Sequence, residues 1–270
     1  MSTDKELAYR YDLLIAPDWR VRFDTLVDEN IVMPPEGRFL DLNCGTGDYA
    51  IELAERLRDK GSVIGVDSSE DRIELARAKS VVLKLENITF EVLETEGLPY
   101  GDGEFDAVIG DASMFEPAGK LGELLAEVSR VTRPDGVVVI KLTTHGSFDE
   151  FFSIYWEALL DCGIVNDSWS ALEALIKERP TVSAAEEMAA RMGLREVASF
   201  TSKEEFSSEN GAAFLESPIV SDIFLGYWLA IAPEGCRADV RKGILQIIER
   251  ERHGSPFDFS IKATVLTGLK

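Results

Sequence analysis

Two glycines one residue apart, Gly45 and Gly47, close an apolar run, Phe39-Leu40-Asp41-Leu42-Asn43-Cys44, and an apolar helical face begins at Ala50. Glycine in such a turn lets a ligand approach the backbone closely, because no Cβ stands in the way. The spacing Gly45-x-Gly47-x-x-Ala50 fits the dinucleotide fingerprint, and Asp67 stands roughly where an acid would meet a ribose hydroxyl. Spacing alone leaves a nicotinamide or flavin enzyme open. Charge points elsewhere: Asp41, Asp67, Glu94 and Asp111 fall at or near the carboxyl ends of successive expected strands, the edge where open α/β sheets bind ligands. A cleft ringed by carboxylates suits a cation and opposes a pyrophosphate. Asp41 lies four residues before Gly45, where an ionised group loses solvation unless a hydrogen bond or a cation compensates.

The elements that must position these residues are legible in the alternation of short apolar runs with helix-period segments over 38–141, the pattern of a parallel sheet covered by helices. Strands are expected at 39–43, 62–66, 88–93, 105–109 and 137–140. Ala50, Ile51, Leu53, Ala54 and Leu57 share one helical face. Ser68 and Asp71 have capping-box spacing ahead of Ile73, Leu75 and Ala76. A helix over 121–131 stops at Arg133-Pro134-Asp135-Gly136, read as a turn into the fully apolar run 137–140, which suits a buried central strand. Beyond Lys141 the periodicity is helical, at 148–160, 170–176 and 184–192. Extended segments are expected at 194–200 and 257–266, and between them lie an apolar stretch, 219–231, and a helix at 237–251.

Composition limits the partners. With 49 acidic and 28 basic side chains, the net charge of −21 repels a phosphate backbone, so nucleic acid is not the expected substrate. No uninterrupted apolar run is long enough to span a bilayer, and residues 1–10 lack the basic start and apolar stretch of a secretion leader, so a cytoplasmic location without membrane attachment is expected. Cys44, Cys162 and Cys236 are scattered, and suggest neither a disulfide framework nor a metal site.

Five segments together resemble the class I S-adenosylmethionine-dependent methyltransferases, in the branch related to quinone and menaquinone biosynthesis. Asp41-Leu42-Asn43-Cys44-Gly45-Thr46-Gly47 resembles the family's first motif, and Asp67 the acid ending its second strand. Glu94-Thr95-Glu96-Gly97-Leu98-Pro99 resembles its acid-x-acid-x-Leu-Pro loop, and Phe105-Asp106-Ala107-Val108 the start of strand four. Glu127-Val128-Ser129-Arg130-Val131-Thr132-Arg133-Pro134-Asp135-Gly136 resembles the helix and turn before strand five. Asn43 departs from the glycine more usual at its position.

The resemblance implies a Rossmann-like, seven-stranded, mainly parallel sheet with helices on both faces, an antiparallel final strand at the edge, and a helical cap inserted after strand five. It divides the chain into an N-terminal helical cover (1–36), a cofactor-binding core (37–142), a cap insertion (143–193) and a C-terminal completion of the sheet with further cap helices (194–270). S-adenosylmethionine is the implied cofactor. Its methionine part would lie around Asp41 and the backbone of Cys44, Gly45, Thr46 and Gly47, its ribose at Asp67 beside Ser68, its adenine near Glu94, Thr95 and Glu96, and its amine near Asp111. Tyr9, Tyr11 and Trp19 resemble an aromatic segment that covers the cofactor in relatives.

The implied reaction is in-line methyl transfer to a small molecule whose identity the sequence leaves open, as it does the oligomeric state and the catalytic residues. His145 is a candidate base because it follows the fifth strand, against the simpler reading of a loop histidine. His253 and Cys44 read as inert. Phe148, Phe151, Phe152, Tyr155, Trp156 and Trp169 read first as packing and second as the lining of an apolar acceptor pocket. Two other functions stand beside this one: an NAD-dependent oxidoreductase, and an S-adenosylmethionine-binding regulatory protein without turnover.

Overall fold

The computed structural model describes residues 3–114, 120–252 and 255–270, so the expectation for His253 lies outside the described residues. The strands are β1 (Gly37–Leu42), β2 (Gly61–Asp67), β3 (Ile88–Val92), β4 (Phe105–Ala112), β5 (Thr132–Thr143), β6 (Arg195–Ser208) and β7 (Phe257–Leu269). They form one seven-stranded sheet in the order β3-β2-β1-β4-β5-β7-β6. The pairs β3–β2, β2–β1, β1–β4 and β4–β5 are all parallel. The chain therefore steps outward from β1 to β3 and then returns to β4. In doubly wound sheets such a reversal marks the carboxyl ends of the strands beside it, here β1 and β4, as the place where ligands bind.

The final strand is antiparallel, as expected: the Asp135 amide donates to the Lys270 carbonyl and the Lys270 amide to the Gly136 carbonyl, both at 3.1 Å, so the end of β7 meets the start of β5. Its expected place at the edge is corrected, because β7 lies between β5 and β6. The reason is burial. Phe257, Phe259, Ile261, Ala263 and Val265 are buried, and so are Ser260 and Thr264 on the opposite face, whereas β6 is largely polar, has Phe206 as its one buried residue, and suits a sheet margin.

Two local expectations also shift. The turn at Arg133–Gly136 is an irregularity inside β5, where the pairing jumps from Phe105↔Thr132 to Ala107↔Val137 and Asp135 takes φ 60°. A Cβ on Gly136 would stand 2.6 Å from Thr132 Cγ2, which accounts for the glycine. The helix after β2 is capped by Ser69, not Ser68: the Arg72 amide donates to Ser69 Oγ at 3.4 Å, because Asp67 Oδ1 accepts the Ser69 amide and sets that residue in place.

The chain divides into two compact units. The first comprises Met1–Leu142, Val182–Ser202 and Ala263–Lys270. Its helices are α1 (Asp4–Arg10), α2 (Ala16–Asn30), α3 (Asp48–Leu57), α4 (Glu70–Val82), α5 (Leu121–Val131) and α8 (Val182–Arg191), with a π-helical turn, Tyr11–Ile15, joining α1 to α2. Strand alternation sends Leu40, Leu42, Val108, Val138 and Ile140 to one apolar layer with α5 and α8. It sends Phe39, Val63, Ala107, Ile109 and Val139 to a second layer with Val27 of α2 and Ala50, Leu53 and Ala54 of α3. Continuing the same alternation, Asp41, Asp67, Asp111 and Lys141 fall on the second face.

The second unit comprises Thr143–Thr181 and Lys203–Lys262. It holds α6 (Asp149–Asp161), α7 (Val165–Lys177), α9 (Gly211–Glu216), α10 (Leu225–Ala230) and α11 (Arg237–Arg252). Its core is aromatic: Phe151 stacks on Trp228 at 4.3 Å, Trp228 on Phe224 at 5.2 Å, and Phe206 on Phe259 at 5.0 Å. Phe148 is buried among Phe224, Trp228 and Phe259 although its φ is 65°, a strain that packing must offset.

Candidate functional site

The glycine turn follows β1 with three residues in the left-handed region: Asn43 (φ 56°), Gly45 (φ 60°) and Gly47 (φ 82°). Asparagine is among the few side chains that tolerate this conformation. Asn43 does more than tolerate it, since its Nδ2 donates to the Asp111 carbonyl at 2.8 Å and ties the end of β1 to the end of β4. The departure from glycine at this position is thus resolved as a crosslink between the two strand ends. The Cys44 amide donates to the Val66 carbonyl at 2.9 Å, and the Gly47 amide to the Cys44 carbonyl at 3.0 Å. Asp67, buried at the end of β2, accepts the Gly45 amide at 2.9 Å on one oxygen and the Ser69 amide at 3.0 Å on the other. Each oxygen retains a second lone pair for a ligand.

α1 and α2 are stitched onto this turn. Arg20, buried on the same face of α2 as Phe23 and Val27, donates through Nη1 to the Tyr11 hydroxyl at 3.0 Å and to the Asn43 carbonyl at 2.8 Å. Its Nη2 lies 3.1 Å from Asp111 Oδ2 as an ion pair. Burial acts to lower the Arg20 pKa, but Tyr11 and Asp111 outweigh it and hold the guanidinium charged. Trp19 Nε1 donates to Ser113 Oγ at 2.9 Å, and Ser113 donates in turn, through its hydroxyl at 2.6 Å and its amide at 2.8 Å, to Asp111 Oδ1. The Arg72 guanidinium lies 4.1 Å over the Tyr11 ring. A Cβ on Gly45 would stand 2.8 Å from both Arg20 Nη1 and Tyr11 Oη, so the turn accepts glycine alone at that point.

Asp41 is the chemically conspicuous residue. It is completely buried, and neither carboxylate oxygen has a hydrogen-bond partner. Burial pushes its pKa up to about 6 against the opposing pull of Lys141 and Arg20. Lys141, also without exposure, pairs with Asp24 of α2, and its Nζ sits 4.0 Å over the Tyr49 ring. Burial raises the Cys44 thiol well above its usual range, with Asp41 and Asp67 adding to the effect, so the thiol is no nucleophile.

The structure thus brings together Asp41, Cys44, Gly45, Thr46, Gly47, Asp67 and Asp111 at the carboxyl edge of the sheet. Ser68 is exposed beside them. Glu94, Thr95 and Glu96 lie on the loop after β3, which is joined to β2 by the Leu93 amide on the Asp67 carbonyl at 3.2 Å. Glu94 is exposed, and Glu96 forms an exposed pair with Lys120. Of the N-terminal aromatics, Tyr11 and Trp19 are buried and Tyr9 is 46% exposed. His145 is exposed in the second unit, and its amide donates to the Pro180 carbonyl at 2.9 Å.

Sequence reasoning missed Arg20, Asp24, Lys141 and Ser113. The signals that could have found the first three are a lysine closing the apolar run of β5, and an arginine and an aspartate one turn apart on the apolar face of α2; Ser113 carries none.

A "Methyltransferase domain" family model matches residues 35–157. The ubiquinone/menaquinone biosynthesis C-methyltransferase UbiE of Citrifermentans bemidjiense is 31% identical over 209 residues, covering 72% of this chain and 87% of that protein. The chain belongs to the class I S-adenosylmethionine-dependent methyltransferases, in their quinone-biosynthesis-like branch. A demethylmenaquinone methyltransferase of Lactococcus lactis is 35% identical over 124 residues, 45% of this chain and 49% of that protein, so the chain spans about half the length of that relative.

Among solved structures, the YcgJ protein of Bacillus subtilis matches this chain with a TM-score of 0.57 at 17% identity, covering 93% of this chain and 98% of that one. Haemonchus contortus phosphoethanolamine N-methyltransferase 2, in complex with phosphomonomethylethanolamine and S-adenosylhomocysteine, matches with a TM-score of 0.59 at 18% identity, over 100% of this chain and 58% of that one. Both likenesses show the Rossmann-like methyltransferase fold. The residues of this chain fit the family's cofactor: Asp67 keeps acceptor capacity on both oxygens beside the glycine turn, and the buried, unpartnered carboxylate of Asp41 calls for positive charge.

Proposed function

We propose that this protein transfers the methyl group of S-adenosylmethionine to a small-molecule acceptor. The observation that carries the reading is Asp41, an unpartnered buried carboxylate beside a left-handed glycine turn at the point where the sheet order reverses. When bound, the cofactor supplies an activated methyl on a sulfonium. The chain's own part is to hold it. Asp41 and the backbone of Cys44, Gly45, Thr46 and Gly47 would surround the methionine part, with Asp111 toward the amine. Asp67, with Ser68 beside it, would accept from the ribose hydroxyls, and Glu94, Thr95 and Glu96 would flank the adenine. In-line displacement would break the sulfur–methyl bond as the bond to the acceptor atom forms, with any proton on that atom leaving to solvent, so holding the two reactants close and collinear is the main catalytic demand on the chain, worth up to ~7–11 kcal/mol of the barrier.

Residues 1–36 act in this reading as the cover of the cofactor and 37–142 as its binding core. The segments after residue 142, with their aromatic residues, serve acceptor choice. The quinone-pathway names of the relatives support an acceptor with an apolar or aromatic body. A cytoplasmic enzyme without a nucleic-acid partner agrees with the net charge of −21 and with the finding that, among the described residues, no helix is long and apolar enough to cross a membrane.

Calorimetric titration with S-adenosylmethionine, S-adenosylhomocysteine and NADH tests the reading. The two adenosyl ligands should bind and NADH should not, and Asp67→Ala should weaken both about ten- to a hundredfold, the loss of one or two charge-assisted hydrogen bonds. Binding of NADH alone would reassign the protein to the oxidoreductases.

A further inference from the structure

Five ionisable side chains from four elements of the first unit converge on one face of the sheet: Arg20 and Asp24 of α2, Asp41 of β1, Asp111 of β4 and Lys141 of β5. β4 and β5 place Asp111 directly opposite Lys141 in register. Two of the three carboxylates have a cation of their own, Asp111 with Arg20 at 3.1 Å and Asp24 with Lys141. Asp41 has no such partner and no hydrogen bond, though it feels both cations. The cluster is therefore balanced when Asp41 is protonated and one positive charge short when it is ionised.

The remaining groups around it do not repair the deficit. Tyr11 on Arg20, Tyr49 beneath Lys141 and the Cys44 thiol are all raised by burial and stay neutral. Asp67 is engaged by the Gly45 and Ser69 amides and lies 3.9 Å from Arg72.

We propose that this cluster reads the charge of the bound cofactor: S-adenosylmethionine binds with release of the Asp41 proton, whereas S-adenosylhomocysteine binds without it. The proposal rests on the cofactor reading above. In S-adenosylmethionine the carboxylate and ammonium cancel and the sulfonium leaves one net positive charge, which matches the deficit of the ionised cluster. After transfer the thioether is neutral, the deficit returns, and Asp41 can take a proton back. Lys141 is the positioning residue of the device: it neutralises Asp24 and keeps Asp41 within reach of ionisation. Burial pushes Asp41 up to about 6, close enough to neutrality for the proton to exchange. Mild acid therefore favours the product complex over the cofactor complex.

Titration calorimetry in two buffers of different ionisation enthalpy counts the protons exchanged. Near pH 6 the wild-type protein should release a substantial fraction of one proton per S-adenosylmethionine and almost none per S-adenosylhomocysteine. Below pH 6 the affinity for the first should fall about tenfold per pH unit while the second stays nearly flat. Asp41→Asn should abolish the difference between the two ligands. In the double variant Asp24→Asn/Lys141→Met, which leaves neither charge buried alone, the transition should move to higher pH. Equal proton release for both ligands, or none for either while both bind, would overturn the proposal without touching the cofactor reading. Failure of both ligands to bind at every pH would overturn the two together.

Discussion

The buried face of α2 and the aromatic core of the second unit are both densely packed, but they leave different things unfinished. In the second unit buried rings meet rings: Phe151 stacks on Trp228 and Trp228 on Phe224, Phe214 meets Phe257 and Phe259 edge to face, and even the left-handed Phe148 is absorbed. Under α2, charged groups are taken out of water and one of them, Asp41, is left without a hydrogen bond. Burying an unmatched carboxylate opposes folding, so its presence beside a glycine turn marks a place where stability gives way to binding. The aromatic core leaves a neutral donor, the buried Trp228 Nε1, without a partner, a smaller cost than an unmatched carboxylate, and reads as scaffold.

The largest effect is expected where the scaffold is cut. Trp228→Ala should cost about 3–5 kcal/mol in urea denaturation, because it removes the ring on which Phe151 and Phe224 stack. If Trp228 is scaffold only, the folded fraction should retain its S-adenosylmethionine affinity within about threefold, and a larger loss would erase the contrast between the two regions.

The next effect has the opposite sign. Burial holds Asp41 at about 6, above the ordinary aspartate value near ~3.9. A raised carboxylate favours the folded state below the unfolded pKa and loses that contribution as pH rises through the folded one. Asp41→Asn should therefore stabilise the free protein at pH 8 by up to roughly 3 kcal/mol, and the gain should vanish near pH 4. Thermal melts across that range check it, and destabilisation at pH 8 would show that Asp41 is a structural partner of Lys141 or Arg20.

The smallest effect is at Asn43. Glycine there relieves left-handed strain of about 1 kcal/mol but removes the 2.8 Å bond to the Asp111 carbonyl, worth about the same. Asn43→Gly should leave stability within about 1 kcal/mol by chemical denaturation. A large loss would make the crosslink between β1 and β4 more important than the turn.

Much of the cofactor-side geometry is legible in the residues alone. Strand alternation follows period two, so the apolar runs preceding Asp41, Asp67 and Asp111 set these acids at strand ends, and the paired glycines mark the turn between β1 and α3. These are local signals, carried by neighbours a few residues away. The cap of α4 shifts by one residue, from Ser68 to Ser69, because a side chain at the end of β2 decides which amide is held, and sequence spacing does not weigh that competition. The irregularity in β5 reads as a turn in the sequence because proline, aspartate and glycine signal both.

Contiguous residues and their periodicity specify the α/β alternation, the five core strands, the glycine turn with its acids, and the family to which they belong. Tertiary structure alone decided the interior place of β7, the aromatic closure of the second unit and the charge cluster under α2. Lys141 and Asp24 are 117 residues apart, and Trp19 and Ser113 are 94 apart. Whether a lysine at the end of a strand is solvated or buried against a helix from the other end of the chain depends on where that helix packs, and packing is a property of the whole fold.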